Sequence, residues 1–357
     1  LWATISRSTA GGSAGARPGS GSGSGPGWGG WLLTGLIVLA GLAGVASGAQ
    51  QGSGGQGSGF GDLESMRLSE VGETLSDWKR LLLILGSVMV LVLLWGGDAI
   101  RPMSLQRAGL RNVKALPAPV WFMSAFIVVL TPGLLYTSLK GMDWVTGGGG
   151  DSLRALAAPQ GIAYLAGIAV ALGLAYMAGK AAPQSGCKLD WIDVPVGVGL
   201  LLLVAPLVLM AGDLSMLVHK SLANGEPTRA IAHPLLQQMV DNRSDPWLWV
   251  LIATVILGAP IVEEVVYRVF VQSAFLRLTN HAWVSVIITA AIFGTMHAIG
   301  SADTKSPWYA AVTVGVLGLC CGGAFERTKR LGVPIAMHAA FNAANVAMAM
   351  WVTSPSS

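Results

Sequence analysis

Residues 247–275 read WLWVLIATVILGAPIVEEVVYRVFVQSAF. A bilayer crossing takes about 17–25 mostly apolar residues. This stretch is long enough, yet it carries Glu263, Glu264 and Arg268 in its second half. An ionisable side chain at the bilayer centre costs at least about 2.5–3.5 kcal/mol on insertion scales, so such residues face a protein interior, pair with one another or mark a functional site. Charges this close together predict a helix packed inside a bundle rather than one facing lipid.

The remainder of the chain supplies that bundle. Of 357 residues, 53% are hydrophobic and 11% are charged, and the mean hydropathy is +0.61. A soluble domain is about 25% charged. Spanning segments are expected at 81–97, 118–137, 158–178, 193–212, 247–275, 282–299, 308–325 and 333–352. These runs lack the alternation of barrel strands, and backbone groups in lipid must bond internally, so the fold class is an all-α polytopic membrane protein. About eight transmembrane helices are expected, with 31–49 as a ninth candidate that reads equally as a secretory signal.

Composition divides the chain further. Residues 1–30 are rich in Gly and Ser and read as disordered, as does the linker that opens 50–80. Within 62–80, Leu63, Met66, Leu68, Val71, Leu75 and Trp78 recur at helical spacing and predict an amphipathic juxtamembrane helix. Residues 81–245 hold the N-terminal membrane helices, and 246–352 hold those that carry the chemistry. Loop 213–245 is the longest hydrophilic segment, and its His219 and His233 are read as solvated residues without a role.

The net charge of +4 does not point to nucleic acid, because the basic residues are dispersed among loops. Loop 98–117 holds Arg101, Arg107, Arg111 and Lys114, and loop 326–331 holds Arg327, Lys329 and Arg330. Positive-inside bias places both in the cytoplasm. Cys187, Cys320 and Cys321 are odd in number and form no CxxC, so neither a disulfide framework nor a zinc ribbon is implied.

Residues four apart share a helix face, so Glu264 and Arg268 pair and leave Glu263 on another face, nearer Tyr267. An unpaired carboxylate in apolar surroundings becomes a competent general base. That makes Glu263 the candidate base and Glu264–Arg268 its support. The next span ends in Phe293-Gly294-Thr295-Met296-His297, and the last span carries His338-Ala339-Ala340-Phe341-Asn342. His338 and Asn342 share a face and can both donate to one developing oxyanion. Each motif alone also fits interhelical hydrogen bonding. A base, a second group to hold a water and two donors together read as amide-bond hydrolysis.

The ordered triple Glu263-Glu264-x-x-x-Arg268, Phe293-x-x-x-His297 and His338-x-x-x-Asn342 resembles the CPBP family of intramembrane proteases. That family includes type II CAAX prenyl endopeptidases, abortive-infectivity-type proteins and bacteriocin self-immunity proteins. The resemblance covers about 246–350. It implies an all-α membrane protease with an intramembrane catalytic cavity, in which Glu263 and His297 activate a water, His338 and Asn342 stabilise the oxyanion, and Glu264 and Arg268 shape the site. It also implies a peptide or lipidated protein substrate, contact with membrane lipids, no nucleic acid and residence in the cell (inner) membrane. The preferred mechanism uses no cofactor. Because a Glu with two His is also a zinc ligand set, the alternative is Zn held by Glu263, His297 and His338. A non-catalytic immunity or scaffold protein, or a transporter, would use the same polar residues otherwise. A transporter is disfavoured because its sites are expected in both halves of the chain.

Simple alternation of the helices puts His297 late in its span and His338 early in its own, so the site requires tilting or an interrupted helix. Gly294 and Gly300 are the expected places for a break.

Overall fold

The computed structural model describes residues 61–148, 152–222, 234–299 and 308–352, with side chains described from 77 onward. The ninth candidate at 31–49 lies outside these residues, as do His233 and Gly300. The helices are α1 (Gly61–Gly96), α2 (Ser104–Arg107), α3 (Ala118–Leu139), α4 (Asp143–Thr146), α5 (Leu153–Ala181), α6 (Asp193–Leu222), α7 (Pro234–Asp241), α8 (Leu248–Thr279), α9 (Ala282–Ile299), α10 (Trp308–Thr328) and α11 (Gly332–Val352). The chain is an all-α polytopic membrane protein. Seven of these helices are long and apolar enough to cross a membrane, and the apolar run Ala282–Ala298 of α9 is shorter. Together they occupy the eight segments expected from the sequence.

The ends obey local chemistry. Ser152 caps α5 by accepting from the Ala155 N–H at 3.2 Å. Asn280, at φ 52°, closes α8 in the left-handed conformation that Asn tolerates. α1 continues without a break from the juxtamembrane segment into the first span.

The two largest apolar clusters hold the bundle. Trp121, Ala125 and Val128 of α3 and Ala171, Ala175 and Ala178 of α5 enclose Val262, Val265, Val269 and Phe270 of α8. Leu200, Val204 and Val208 of α6 pack on Leu317 and Cys321 of α10 and Val333 and Met337 of α11. α8 therefore runs through the interior, as its charges require.

The two basic loops meet on one side. Arg111 pairs with Glu326 at 2.6 Å, Arg327 Nη1 donates to the Ser104 carbonyl at 3.3 Å, and Lys329 donates to the Gly109 carbonyl. Arg330 joins the same side through Asp190, at 3.0 Å, and Asp193.

Two expectations are corrected. His219 is on α6, which continues through Leu222, and its ring packs 5.1 Å from Tyr309 and 6.1 Å from Trp308. It is not a solvated loop residue. The break expected at Gly294 does not occur, because α9 runs through it. Gly294 instead lets α9 approach α10 closely, since a Cβ there would lie 2.8 Å from the Ala311 carbonyl oxygen and 3.1 Å from Gly315 Cα. The irregularity is in α8, which has π-helical turns at Thr254–Gly258 and Val265–Val271.

Candidate active site

Pro260 accounts for the first π turn. Proline has no N–H and crowds the preceding turn, so an α-helix cannot pass through it undistorted. The Ala259 N–H bonds the Thr254 carbonyl, five residues back. Val255 would need the N–H of residue 259 or 260, and the first is taken and the second is missing. Its carbonyl accepts instead from Asn342 Nδ2 at 2.8 Å, which ties α11 to α8.

One turn further on, Glu264 and Arg268 are fully buried and their pair closes at 2.6 Å, as the four-residue spacing predicts. The other Glu264 oxygen accepts from His338 Nδ1 at 3.0 Å. Glu264 thereby satisfies the guanidinium and fixes the His338 ring with Nε2 facing away from it. That Nε2 lies 3.9 Å from Glu263 Oε2. His297 Nε2 stands at the same 3.9 Å from the same oxygen. His297 is oriented from its far side, where Nδ1 donates to the Phe293 carbonyl at 2.9 Å. A carbonyl only accepts, so neutral His297 presents a lone pair at Nε2.

Phe293 holds the aromatic groups together. Its ring stands 4.6 Å from His297, 5.7 Å from His338 and 4.8 Å from Tyr267, all edge to face, and the Arg268 guanidinium lies 5.5 Å from its centroid. Accessibility separates the roles available. The side chains of Glu263 and His297 keep 25% and 31% exposure, whereas Glu264 and Arg268 keep none. Glu263 and His297 are therefore the partly exposed members of the site, while Glu263 Oε2, the oxygen that both imidazoles face, is buried without a hydrogen-bond partner among the described residues.

Five of the six motif residues, Glu263, Glu264, Arg268, His297 and His338, are joined by these contacts from three helices, and Asn342 stands one turn beyond His338 on α11, bonded to Val255. A cavity of about 580 Å³ beside Tyr136, Lys140, Asp143, Ser152 and Gln238 is lined by none of them. Among the described residues no group of three or more His, Cys, Asp or Glu side chains is disposed to hold a metal ion. Zinc would require ligand atoms about 2.0–2.2 Å from one centre.

The segment that carries these helices matches one family model. Residues 245–344 match the family model described as type II CAAX prenyl endopeptidase Rce1-like, in agreement with the resemblance read from the motifs. Neither a curated protein nor a solved structure matches the chain. The matched segment contains α8, α9, α10 and the part of α11 that bears His338 and Asn342, so every motif residue falls inside it.

Several residues around the motifs are not singled out by the sequence. Val255 and Pro260 matter through backbone chemistry that a motif search does not register. Gln272 continues the spacing of Glu264 and Arg268 by four more residues, a signal the sequence does contain. Glu326 reads only as a charge at a loop boundary, although it is 1% exposed.

Proposed function

We propose that this protein is an intramembrane endopeptidase that hydrolyses a peptide bond near the C-terminus of a CAAX-type or other membrane-associated substrate. The observation that carries the reading is the convergence of two imidazole nitrogens, His297 Nε2 and His338 Nε2, on one carboxylate oxygen of Glu263 at 3.9 Å each. The Rce1-like match supports the substrate class at the level of the family.

A separation of 3.9 Å is too long for a direct hydrogen bond and suits a shared water. Both the Glu263 carboxylate and neutral His297 Nε2 accept, so a water between them donates both protons and turns an oxygen lone pair outward. Glu263 takes one proton as that oxygen attacks the scissile carbonyl carbon. The carbonyl π electrons move to oxygen, and the oxyanion accepts from His338 Nε2–H and Asn342 Nδ2. His338 spends its Nδ1–H on Glu264, so it donates from Nε2 as the imidazolium, which also offsets the second carboxylate of the site. Asn342 gives one N–H to Val255 and has a second for the oxyanion. Collapse of the tetrahedral intermediate breaks the C–N bond, and Glu263 returns its proton to the departing amine.

The test is cleavage of a fluorogenic farnesylated CAAX peptide by detergent-purified protein, beside folded Glu263→Ala. Cleavage by the wild type alone is expected. Well-folded wild type that cleaves nothing rejects this substrate class. Zinc content belongs in the same experiment: one zinc per chain, lost together with activity on chelation, would establish the metalloprotease alternative. The basic side is assigned to the cytoplasm on positive-inside bias, and the cell membrane is the proposed location.

A further inference from the structure

Glu264, Arg268 and Gln272 stand four residues apart on α8, each with 0% exposure. In a regular α-helix every fourth residue drifts by about 40° around the axis, so such a stripe winds away from a straight neighbour. The π turn Val265–Val271 lies within this stripe, and its wider turn opposes the drift. The stripe faces α10. A Cβ added at Gly318 would lie 3.6 Å from Arg268 Nη2, and one at Gly322 would lie 3.3 Å from Arg268 Nη1 and 2.9 Å from Gln272 Oε1. The guanidinium and the carboxamide therefore lie next to one another against bare α10 backbone.

Gln272 leads on to a second buried pair. Its Nε2 donates to the Gly322 carbonyl at 3.2 Å and to Glu326 Oε1 at 2.9 Å. The same Glu326 oxygen accepts from Arg111 Nη2 at 2.6 Å and Nε at 3.0 Å. Arg111 Nη1 donates to Ser273 Oγ at 2.8 Å and to the Ser185 carbonyl at 2.7 Å, and its guanidinium stacks 4.3 Å over Phe325. Arg111 and Glu326 are 3% and 1% exposed. A buried ion pair is a weak source of stability compared with apolar packing, and registry is its best-attested use.

We propose that Gln272, Glu326 and Arg111 are positioning residues for the reaction: they fix the rotation of α8 against α10 at Arg268, and through Glu264 the direction of His338 Nε2. The inference rests on the reading of Glu263, His297, His338 and Asn342 as the reaction centre. Gln272 Oε1 and both Arg268 Nη atoms are buried without hydrogen-bond partners among the described residues. Both groups stand over the same bare glycine, Gly322, so a shift of Gln272 against α10 carries with it the turn of α8 that bears Arg268. The basic loop 98–117 thereby reaches Gln272 through side chains, and the last step to Arg268 runs along one turn of α8.

The test uses the full chain, labelled with 15N-histidine, as wild type, Gln272→Met, Glu326→Gln and the exchanged double variant Gln272→Glu/Glu326→Gln. In the folded single variants, kcat is expected to fall about tenfold or more while KM stays within about twofold, the signature of lost orientation rather than lost binding. The His338 nitrogen resonances are expected to move in both. The exchanged pair restores a carboxylate facing a carboxamide and regains part of the loss. Should Gln272→Met fail to fold, Gln272→Asn, which keeps the amide and shortens its reach, is read in the same way. Unchanged kcat and unchanged His338 resonances in folded variants overturn the proposal. A wild type without Glu263-dependent cleavage would fail the proposed function, and the His338 resonances would still decide whether Gln272 and Glu326 act on His338.

Discussion

Asn342 reaches from the last span to the Val255 carbonyl at 2.8 Å, and Pro260, five residues after Val255, leaves that carbonyl available. A residue expected to serve an oxyanion is thus also a strut between α11 and α8. The two duties separate by magnitude. Loss of an interhelical hydrogen bond in a membrane averages about 0.6 kcal/mol, whereas loss of an oxyanion donor costs about 10²–10³ in kcat. Asn342→Ala is expected to lower kcat by that larger factor with a small fall in melting temperature. Pro260→Ala restores an N–H at 260 and should shrink the stability cost of Asn342→Ala when the two are combined, as a double-mutant cycle in detergent would measure. A large fall in melting temperature with kcat intact would make Asn342 a strut only.

Glu264 and Arg268 are joined at 2.6 Å with no exposure, and Glu264 also holds His338. Removing either partner leaves a buried charge uncompensated, which costs about 3–5 kcal/mol. Arg268→Ala and Glu264→Ala are both expected to lose that much stability and all measurable cleavage. The double variant Glu264→Leu/Arg268→Met replaces the pair with apolar volume. It should recover most of the stability and none of the cleavage, because His338 Nδ1 then has no acceptor. Thermal unfolding followed by peptide cleavage on the same preparations checks both halves.

Gly294 seats α9 on α10, with no space for a Cβ beside the Ala311 carbonyl oxygen at 2.8 Å. Both close atoms belong to backbone, so Gly294→Ala forces the helices apart. Overpacking of this kind costs about 1–3 kcal/mol. His297 lies three residues further along α9, and its Nε2 should move away from Glu263. A lowered melting temperature with a fall in kcat is expected. Gly323→Ala, where a Cβ meets nothing within 4 Å, serves as the control and should behave as wild type.

The sequence made the spans legible because hydropathy over about 20 residues is set by the solvent, and lipid imposes it on every crossing helix alike. The Glu264–Arg268 pair was equally legible, since four-residue spacing is a local geometric fact. The meeting of His297 and His338 at Glu263 was not, because depth in the bilayer depends on how helices tilt and where they distort. Backbone flexibility in the sequence points to Gly294 or Gly300, and α9 runs unbroken through Gly294. A distortion is found in α8 at Thr254–Gly258, where Pro260 removes the N–H that would serve Val255. Glycine in a membrane helix more often marks a close approach than a break, as Gly294, Gly318 and Gly322 do here. Glu326 is not legible in the sequence, because a charge at the end of a span reads as solvated and its partner, Arg111, lies 215 residues earlier.

Contacts among the basic loops make a topological prediction that requires no enzymology. Arg111–Glu326, Arg327–Ser104 and Lys329–Gly109 put loops 98–117 and 329–331 on one side, and the bond from the Leu331 N–H to the Lys188 carbonyl at 3.0 Å adds residues 182–192. The turn at α4 follows an odd number of crossings from each of these and belongs on the other side. Lys114→Cys and Lys188→Cys are therefore expected to react with a membrane-impermeant maleimide from one side and Asp143→Cys from the opposite side, all three positions being exposed. Positive-inside bias makes the first side cytoplasmic, so in intact cells only Asp143→Cys should label. The native Cys187 shares the first side, but burial holds its thiol above the usual range, which keeps the reactive thiolate scarce at neutral pH and the background low. Labelling of Lys114→Cys and Asp143→Cys from the same side would contradict the alternation of the eight helices, and labelling of Lys114→Cys alone in intact cells would invert the orientation while leaving the bundle intact.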